Sequence, residues 1–363
     1  MSVIGSDLVP FRIEVPDAEL ADLRERLDRA RWAPQPDGGD QSYGVPNEFV
    51  QRLVAHWRED YDWRGWEGLL NQYPQFTTVI DGTKVHFLHV RSPEPNAVAL
   101  VLSHGWPGSV AEYLDVIGPL SDPCRHGLDP AVAFDLVVPS LPGSGWSGPT
   151  PDVGWGPRRI ARAFVALARR LGYRSYGAVG NDWGSFIAPE MGREAPDEVV
   201  GVHVTQVFPA GPGEVRNSSY GHVHAEQPQT LAHALADSPV GLLGWNSQCM
   251  GDLDPDALIT HVMVHWLTGT GGSAPRIYAE EDRQQPPSGP TTIPPGLSVP
   301  FALAQFPNDW PSDRALAERQ HANITSWNAY DRGGHYAARQ APDLLVHDIR
   351  NFFGSLSGAQ QQH

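Results

Sequence analysis

The chain has 363 residues, enough for one large domain or two smaller ones. Its 26 Lys+Arg against 42 Asp+Glu give a net charge of −16 with histidine neutral, which argues against a phosphate-backbone partner such as nucleic acid. A hydrophobic content of 40% with 12 Trp, 10 Tyr and 12 Phe excludes global disorder, and the two distant cysteines, Cys124 and Cys249, make neither a disulfide framework nor a zinc motif; both are expected to be reduced and buried.

The first ~72 residues read as helical and polar. Asp17 can cap a helix that places Leu20, Leu23 and Leu27 on one face, and a second helix from about 47 to 57 carries Phe49, Leu53 and Val54 at compatible spacing. From about Phe76 the period changes. Residues 78–80, a turn at Asp81-Gly82 and residues 85–90 form a predicted β-hairpin. Continuous apolar runs at 97–103, 134–139 and 176–179 then read as buried strands, with an amphipathic helix from about 157 to 171 between the last two. Unbroken strands alternating with helices predict a mostly parallel α/β sheet. The pattern lapses from 209 to 296, where Gly/Pro-rich connections (209–213 and 285–290) flank helical pieces at 230–235 and 258–266. Strands at 299–304 and 324–330 and a helix from about 342 to 353 restore it. An insertion that interrupts a sheet late, between such connections, reads as a lid.

Two glycine-rich segments compete for a chemical role. Gly143-Ser144-Gly145-Trp146-Ser147-Gly148 is a literal G-x-G-x-x-G after a strand, but Pro149-Thr150-Pro151 follows and no acidic residue stands about 20 positions on. It reads as a turn, and no cofactor is expected. Gly180-Asn181-Asp182-Trp183-Gly184 fits a nucleophile elbow, in which a strained strand-to-helix turn presents one side chain above the sheet, here Asp182. A helix-capping aspartate gives the same string. Partners stand downstream in the order nucleophile, acid, histidine: Asp309 after the strand 299–304, and His335 in Gly333-Gly334-His335-Tyr336. After the strand 97–103, Ser103-His104-Gly105-Trp106-Pro107 can turn the Trp106 N–H towards Asp182, with the Trp183 N–H as a second oxyanion donor. The pairs His222/His224 and His261/His265 lack the glutamate or carboxylate of a metal motif and are expected to line the lid and pocket, with no metal.

With these motifs on nearly the whole chain, the sequence resembles an α/β-hydrolase of the microsomal-type epoxide hydrolase family. Residues 11–82 resemble that family's N-terminal segment. His104-Gly105-Trp106-Pro107, Pro139-Ser140-Leu141-Pro142-Gly143, Asp182-Trp183-Gly184, Asp237-Ser238-Pro239 and Asp331-Arg332-Gly333-Gly334-His335-Tyr336 are similar to its other motifs. The resemblance implies an α/β-hydrolase fold with an N-terminal helical meander (1–72) that wraps core and lid, a core in two parts (73–208 and 296–363) and a helical lid (209–295). It also implies two lid tyrosines, which map onto Tyr220 and Tyr278. His224, Glu226 and Gln340 depart from the residues usual at their positions, as does the segment 245–249.

An aspartate suits attack on an sp³ carbon because it is ionised at neutral pH and needs no base. The resemblance then implies that Asp182 opens an epoxide to a covalent ester, that Tyr220 and Tyr278 hydrogen-bond and protonate the epoxide oxygen, and that His335, oriented by Asp309, activates water to release a vicinal diol. A dehalogenase uses the same Asp-His-acid set but has no need of two lid tyrosines. A silent ligand-binding hydrolase fold would be expected to lose one of these elements. The expected partners are a small-molecule epoxide and water, with a homodimer left open. Styrene-type, aliphatic and natural-product epoxides all fit, and the unusual His224, Glu226 and Gln248 lean towards the last. No apolar run approaches the ~20 residues of a bilayer span, and the start of the chain lacks the n-region and h-region of a secretory signal, so a soluble, cytoplasmic protein without the membrane anchor of some relatives is expected.

Overall fold

The computed structural model describes residues 7–39, 41–208, 219–284 and 296–360. Nine strands lie among them: β1 (Val9–Phe11), β2 (Gln75–Ile80), β3 (Thr83–Val90), β4 (Val98–Ser103), β5 (Phe134–Pro139), β6 (Tyr176–Gly180), β7 (Val199–Val204), β8 (Phe301–Gln305) and β9 (Ile324–Ala329). They form one sheet in the order β1-β2-β3-β5-β4-β6-β7-β8-β9. From β5 to β9 every neighbour is parallel, whereas β1, β2 and β3 pair antiparallel and β3 joins β5 antiparallel. This is the α/β-hydrolase fold, with its sheet parallel over the larger part.

Local chemistry explains most elements. Asp81 and Gly82 both adopt positive φ (50° and 74°), which a two-residue turn between right-twisted strands requires. β5 is buried throughout, as its continuous apolar run demands of a central parallel strand. The helix Pro157–Arg170 buries Ile160, Ala161, Phe164, Leu167 and Ala168, one face at helical spacing.

Two strands were not foreseen. β1 is three residues at the sheet edge with a proline in its middle, too short for a periodic signal and tolerable only where no second neighbour needs the missing N–H. β7 is a Val-rich run whose partners β6 and β8 bury it from both sides. The cysteines also differ from expectation: Cys124 is exposed and Cys249 half-buried, with no disulfide between them.

Among the described residues, five helices occupy the stretch between β7 and β8: Ser219–Glu226, Pro228–Asp237, Pro239–Met250, Pro255–Leu267 and Arg276–Gln284. Three begin with proline, whose missing N–H costs nothing in the first turn, and Ser238 and Asp254 cap two of them by accepting the Gly241 and Ala257 N–H groups. The Gly/Pro-rich connections at 209–213 and 285–290 lie outside the described residues. The N-terminal stretch ties these helices to the sheet edge. Trp57 Nε1 donates to Met263 Sδ at 3.3 Å, Tyr61 Oη and Thr260 Oγ1 share a bond of 2.9 Å, and Thr78 of β2 donates to the Asp7 carbonyl.

Candidate active site

Asp182 stands between β6 and the helix Trp183–Glu194, with φ 54° and ψ −120°. A non-glycine residue there stores about 1–3 kcal/mol of strain. Its flanking glycines make the turn sterically feasible: a Cβ on Gly180 would lie 2.0 Å from the Gly184 carbonyl oxygen, and one on Gly184 would lie 1.9 Å from that of Ser103. Although Asp182 holds the cap position of the helix, its side chain makes no capping hydrogen bond. Its Oδ1 instead accepts the Trp106 N–H at 2.9 Å, in the loop that follows β4. The carboxylate is therefore turned away from its own helix and into the space above the sheet.

His335 and Asp309 reach the same place from loops after β9 and β8. His335 Nε2 lies 3.4 Å from Asp182 Oδ2, and its Nδ1 lies 2.7 Å from Asp309 Oδ1. Burial alone would lower the His335 imidazole, but hydrogen bonds to Asp182 and Asp309, with their charges, outweigh it and hold the ring well above its ordinary value. The ring stands between two carboxylates, an arrangement that favours its protonated form. The Trp183 N–H belongs to the first turn of its helix, where no intrahelical acceptor exists, and is hydrogen-bonded to no described residue.

Tyr220 and Tyr278 come from the helices Ser219–Glu226 and Arg276–Gln284 and are both buried, their rings 6.4 Å apart. Tyr220 stacks on Trp245 at 5.0 Å, and Tyr278 meets Trp183 edge-on at 4.6 Å. Burial raises both phenols well above their ordinary value, and the Asp182 charge raises them further. The Tyr220 hydroxyl is buried with no hydrogen-bond partner among the described residues.

Residues 8–113 match the family described as "Epoxide hydrolase N terminus", and residues 98–228 match the "alpha/beta hydrolase fold". A Stigmatella aurantiaca (strain DW4/3-1) protein that carries the epoxide hydrolase name is 38% identical over 96% of this chain and 85% of its own length. The chain belongs to the epoxide hydrolase family. It is of the microsomal type, with the N-terminal segment ahead of an α/β-hydrolase core. Epoxide hydrolase 1 of Sus scrofa is 31% identical over 96% of this chain and 88% of its own length. The solved structure of Aspergillus niger epoxide hydrolase superposes with a TM-score of 0.82 at 28% identity, covering 96% of both chains.

Three polar side chains of this epoxide hydrolase, which no sequence motif singles out, lie beneath the elbow. Gln206, just past β7, accepts the Asp182 N–H at 2.8 Å and the Ser185 hydroxyl at 2.9 Å through Oε1. Its Nε2 donates to Asn181 Oδ1 at 2.7 Å and to Asp309 Oδ2. Asn181 in turn donates to Glu112 Oε1 at 2.8 Å. Burial pushes the Glu112 carboxyl up to about 8, so it is neutral over most of the physiological range, and its Oε2 is buried without a partner. Only the Val-rich pattern of β7 could have drawn attention to Gln206, and it marks a strand rather than a role.

The remaining candidates resolve structurally. Gly143–Gly148 is a loop closed by Gly143 N–H donating to the Gly148 carbonyl at 3.0 Å; it holds only a single 3-10 turn, Gly145–Ser147, and no α-helix opens there to receive a pyrophosphate. His261 bonds Ser109 at 2.9 Å, and His265 donates to the Gly108 carbonyl at 3.0 Å, so the helix Pro255–Leu267 braces the Trp106 loop. His222 lies 3.4 Å from Glu226. Among the described residues no group of three or more His, Cys, Asp or Glu could hold a metal ion, and no helix is long and apolar enough to cross a membrane.

Proposed function

We propose that this epoxide hydrolase works through a covalent ester on Asp182. The observation that carries the reading is the position of His335, 3.4 Å from the Asp182 carboxylate and 2.7 Å from Asp309, while Trp106 holds the other Asp182 oxygen at 2.9 Å. In the first step Asp182 Oδ2, the oxygen not held by Trp106, forms a bond to an epoxide carbon. The carbon–oxygen bond breaks, its electron pair goes to the epoxide oxygen, and that oxygen takes a proton from Tyr220 or Tyr278. Burial keeps both phenols protonated until an alkoxide, a far stronger base, develops beside them.

The ester changes the electrostatics of the histidine. One of the two anions that hold the His335 proton is gone, and burial now favours the neutral ring. The His335 proton passes to the tyrosinate, and neutral His335, oriented by Asp309, removes a proton from water. The hydroxide adds to Asp182 Cγ. The amides of Trp106 and Trp183 stabilise the oxyanion, with the first already aimed at Oδ1. Collapse expels the diol oxygen, which takes the His335 proton, and the carboxylic acid left on Asp182 passes its proton to His335, which restores the starting state. Epoxide plus water gives vicinal diol, with no cofactor in the balance. The five helices between residues 219 and 284 serve as the lid that brings both tyrosines over the nucleophile.

The test is intact-protein mass spectrometry of His335→Gln with an epoxide. Accumulation of protein heavier by one epoxide, located on the Asp182 peptide and absent from the Asp182→Ala/His335→Gln double variant, supports the mechanism. Turnover at the wild-type rate without any adduct contradicts it.

A further inference from the structure

The lid helix Ser219–Glu226 carries one buried polar side chain that the mechanism does not use. His224 is fully buried, with its ring centroid 4.7 Å from that of Tyr220, 5.2 Å from that of Tyr278 and 6.0 Å from that of Trp106. Those are the side chains gathered over Asp182. Trp245 Nε1 donates to His224 Nε2 at 2.8 Å. An indole N–H can only donate, so Nε2 must be an unprotonated acceptor. Burial pushes the imidazole down to about 3, which leaves a neutral ring with one proton. That proton is on Nδ1. Nδ1 itself is buried and has no hydrogen-bond partner among the described residues. Trp245 thus pins the tautomer and holds an N–H donor unpaired among the rings that close over the nucleophile. Buried donors without partners are rare in native structures and point to a group supplied from elsewhere.

Resting on the mechanism above, we infer that the His224 Nδ1–H is a substrate-recognition donor, and that the preferred substrates are neutral epoxides with an ether or carbonyl oxygen close to the oxirane ring. The His224 ring packs against the rings of Tyr220 and Tyr278, whose phenol hydroxyls engage the epoxide oxygen in the proposed mechanism. Once the tyrosines have engaged the epoxide oxygen, the His224 N–H is left for a second acceptor on the substrate. A substrate without a second acceptor leaves that donor unpaired in the complex and is disfavoured.

Butyl glycidyl ether and 1,2-epoxyoctane differ only in an oxygen for a methylene, and kcat/KM for the two in wild-type and variant enzymes reads the inference directly. The ratio of ether to alkane should fall about tenfold in His224→Phe, which removes the donor. It should fall similarly in His224→Leu, which also lacks a donor and covers the case in which the Phe variant does not fold. Trp245→Phe, which releases the tautomer, should fall between wild type and these variants. Hydrolysis of both epoxides with one ratio across wild type and variants overturns the inference alone. A wild-type enzyme that hydrolyses neither overturns the mechanism on which it rests.

Discussion

Gln206 joins the nucleophile to the acid of the candidate triad: its Oε1 accepts the Asp182 N–H at 2.8 Å, and its Nε2 donates to Asp309 Oδ2. One neutral amide thus holds the strained backbone at the elbow and the carboxylate that orients His335. Gln206→Leu leaves the Asp182 N–H and the Asp309 oxygen without these bonds. The expected outcome is a loss of about 10²-fold in kcat with a small change in KM, because the reacting groups lose their alignment while the pocket wall stays. Steady-state kinetics with a simple epoxide checks it, and an effect confined to KM would contradict it.

Asp309 is expected to matter more for the second half of the reaction than for the first. His335 Nδ1 lies 2.7 Å from Asp309 Oδ1, so Asp309→Asn loses the charge that orients the ring and stabilises its protonated form. Rapid-quench kinetics should show ester formation slowed modestly and ester hydrolysis slowed by at least about 10²-fold, so that the covalent species accumulates. Equal slowing of both halves would remove Asp309 from the proposed role.

Glu112 makes stability depend on pH in a calculable direction. Its carboxyl rises from about 4.5 to about 8 on folding because burial disfavours the anion; the Asn181 hydrogen bond and the His335 charge oppose this only in part. A raised pKa means that the folded protein binds more protons than the unfolded chain between these values, so stability is full below about pH 4.5 and is lost as pH rises through about 8. Glu112→Gln has no proton to lose. The midpoint of thermal unfolding of the wild type should fall relative to that of Glu112→Gln across this window. Parallel profiles would show that the carboxyl titrates normally.

The elbow glycines should be far less replaceable than a helix glycine in open space. Gly184→Ala places a methyl 1.9 Å from the Ser103 carbonyl oxygen and should destabilise by about 1–3 kcal/mol or more, with loss of activity. Gly68→Ala lies in the helix Trp63–Leu70, meets nothing within 4 Å, and should stabilise by up to about 1 kcal/mol. Denaturant unfolding of both separates close approach from mere glycine content.

What could be read from the sequence follows from which constraints are local. Gly180 and Gly184 around Asp182 are a steric requirement of a single turn, and the strands 134–139 and 176–180 are continuous apolar runs, so both show in a linear pattern. The positions of Asp309 and His335 follow from the order of strands in the sheet. Tyr220 and Tyr278 came only through family resemblance, because a tyrosine on a helix has no local signature of function. Gln206, Asn181 and Glu112 form one hydrogen-bonded set from three distant segments, and nothing in any one segment encodes it. The same holds for His224, whose proton is placed by Trp245, 21 residues away.

The covalent role of Asp182 is tested most directly by a single turnover in ¹⁸O-labelled water with enzyme in excess over epoxide. If Asp182 attacks the epoxide carbon and water then attacks Cγ, the first diol formed carries no label and the Asp182 carboxylate gains it. Label in the first-turnover diol, with none in the Asp182 peptide, would mean that water attacks the epoxide directly and would contradict the account.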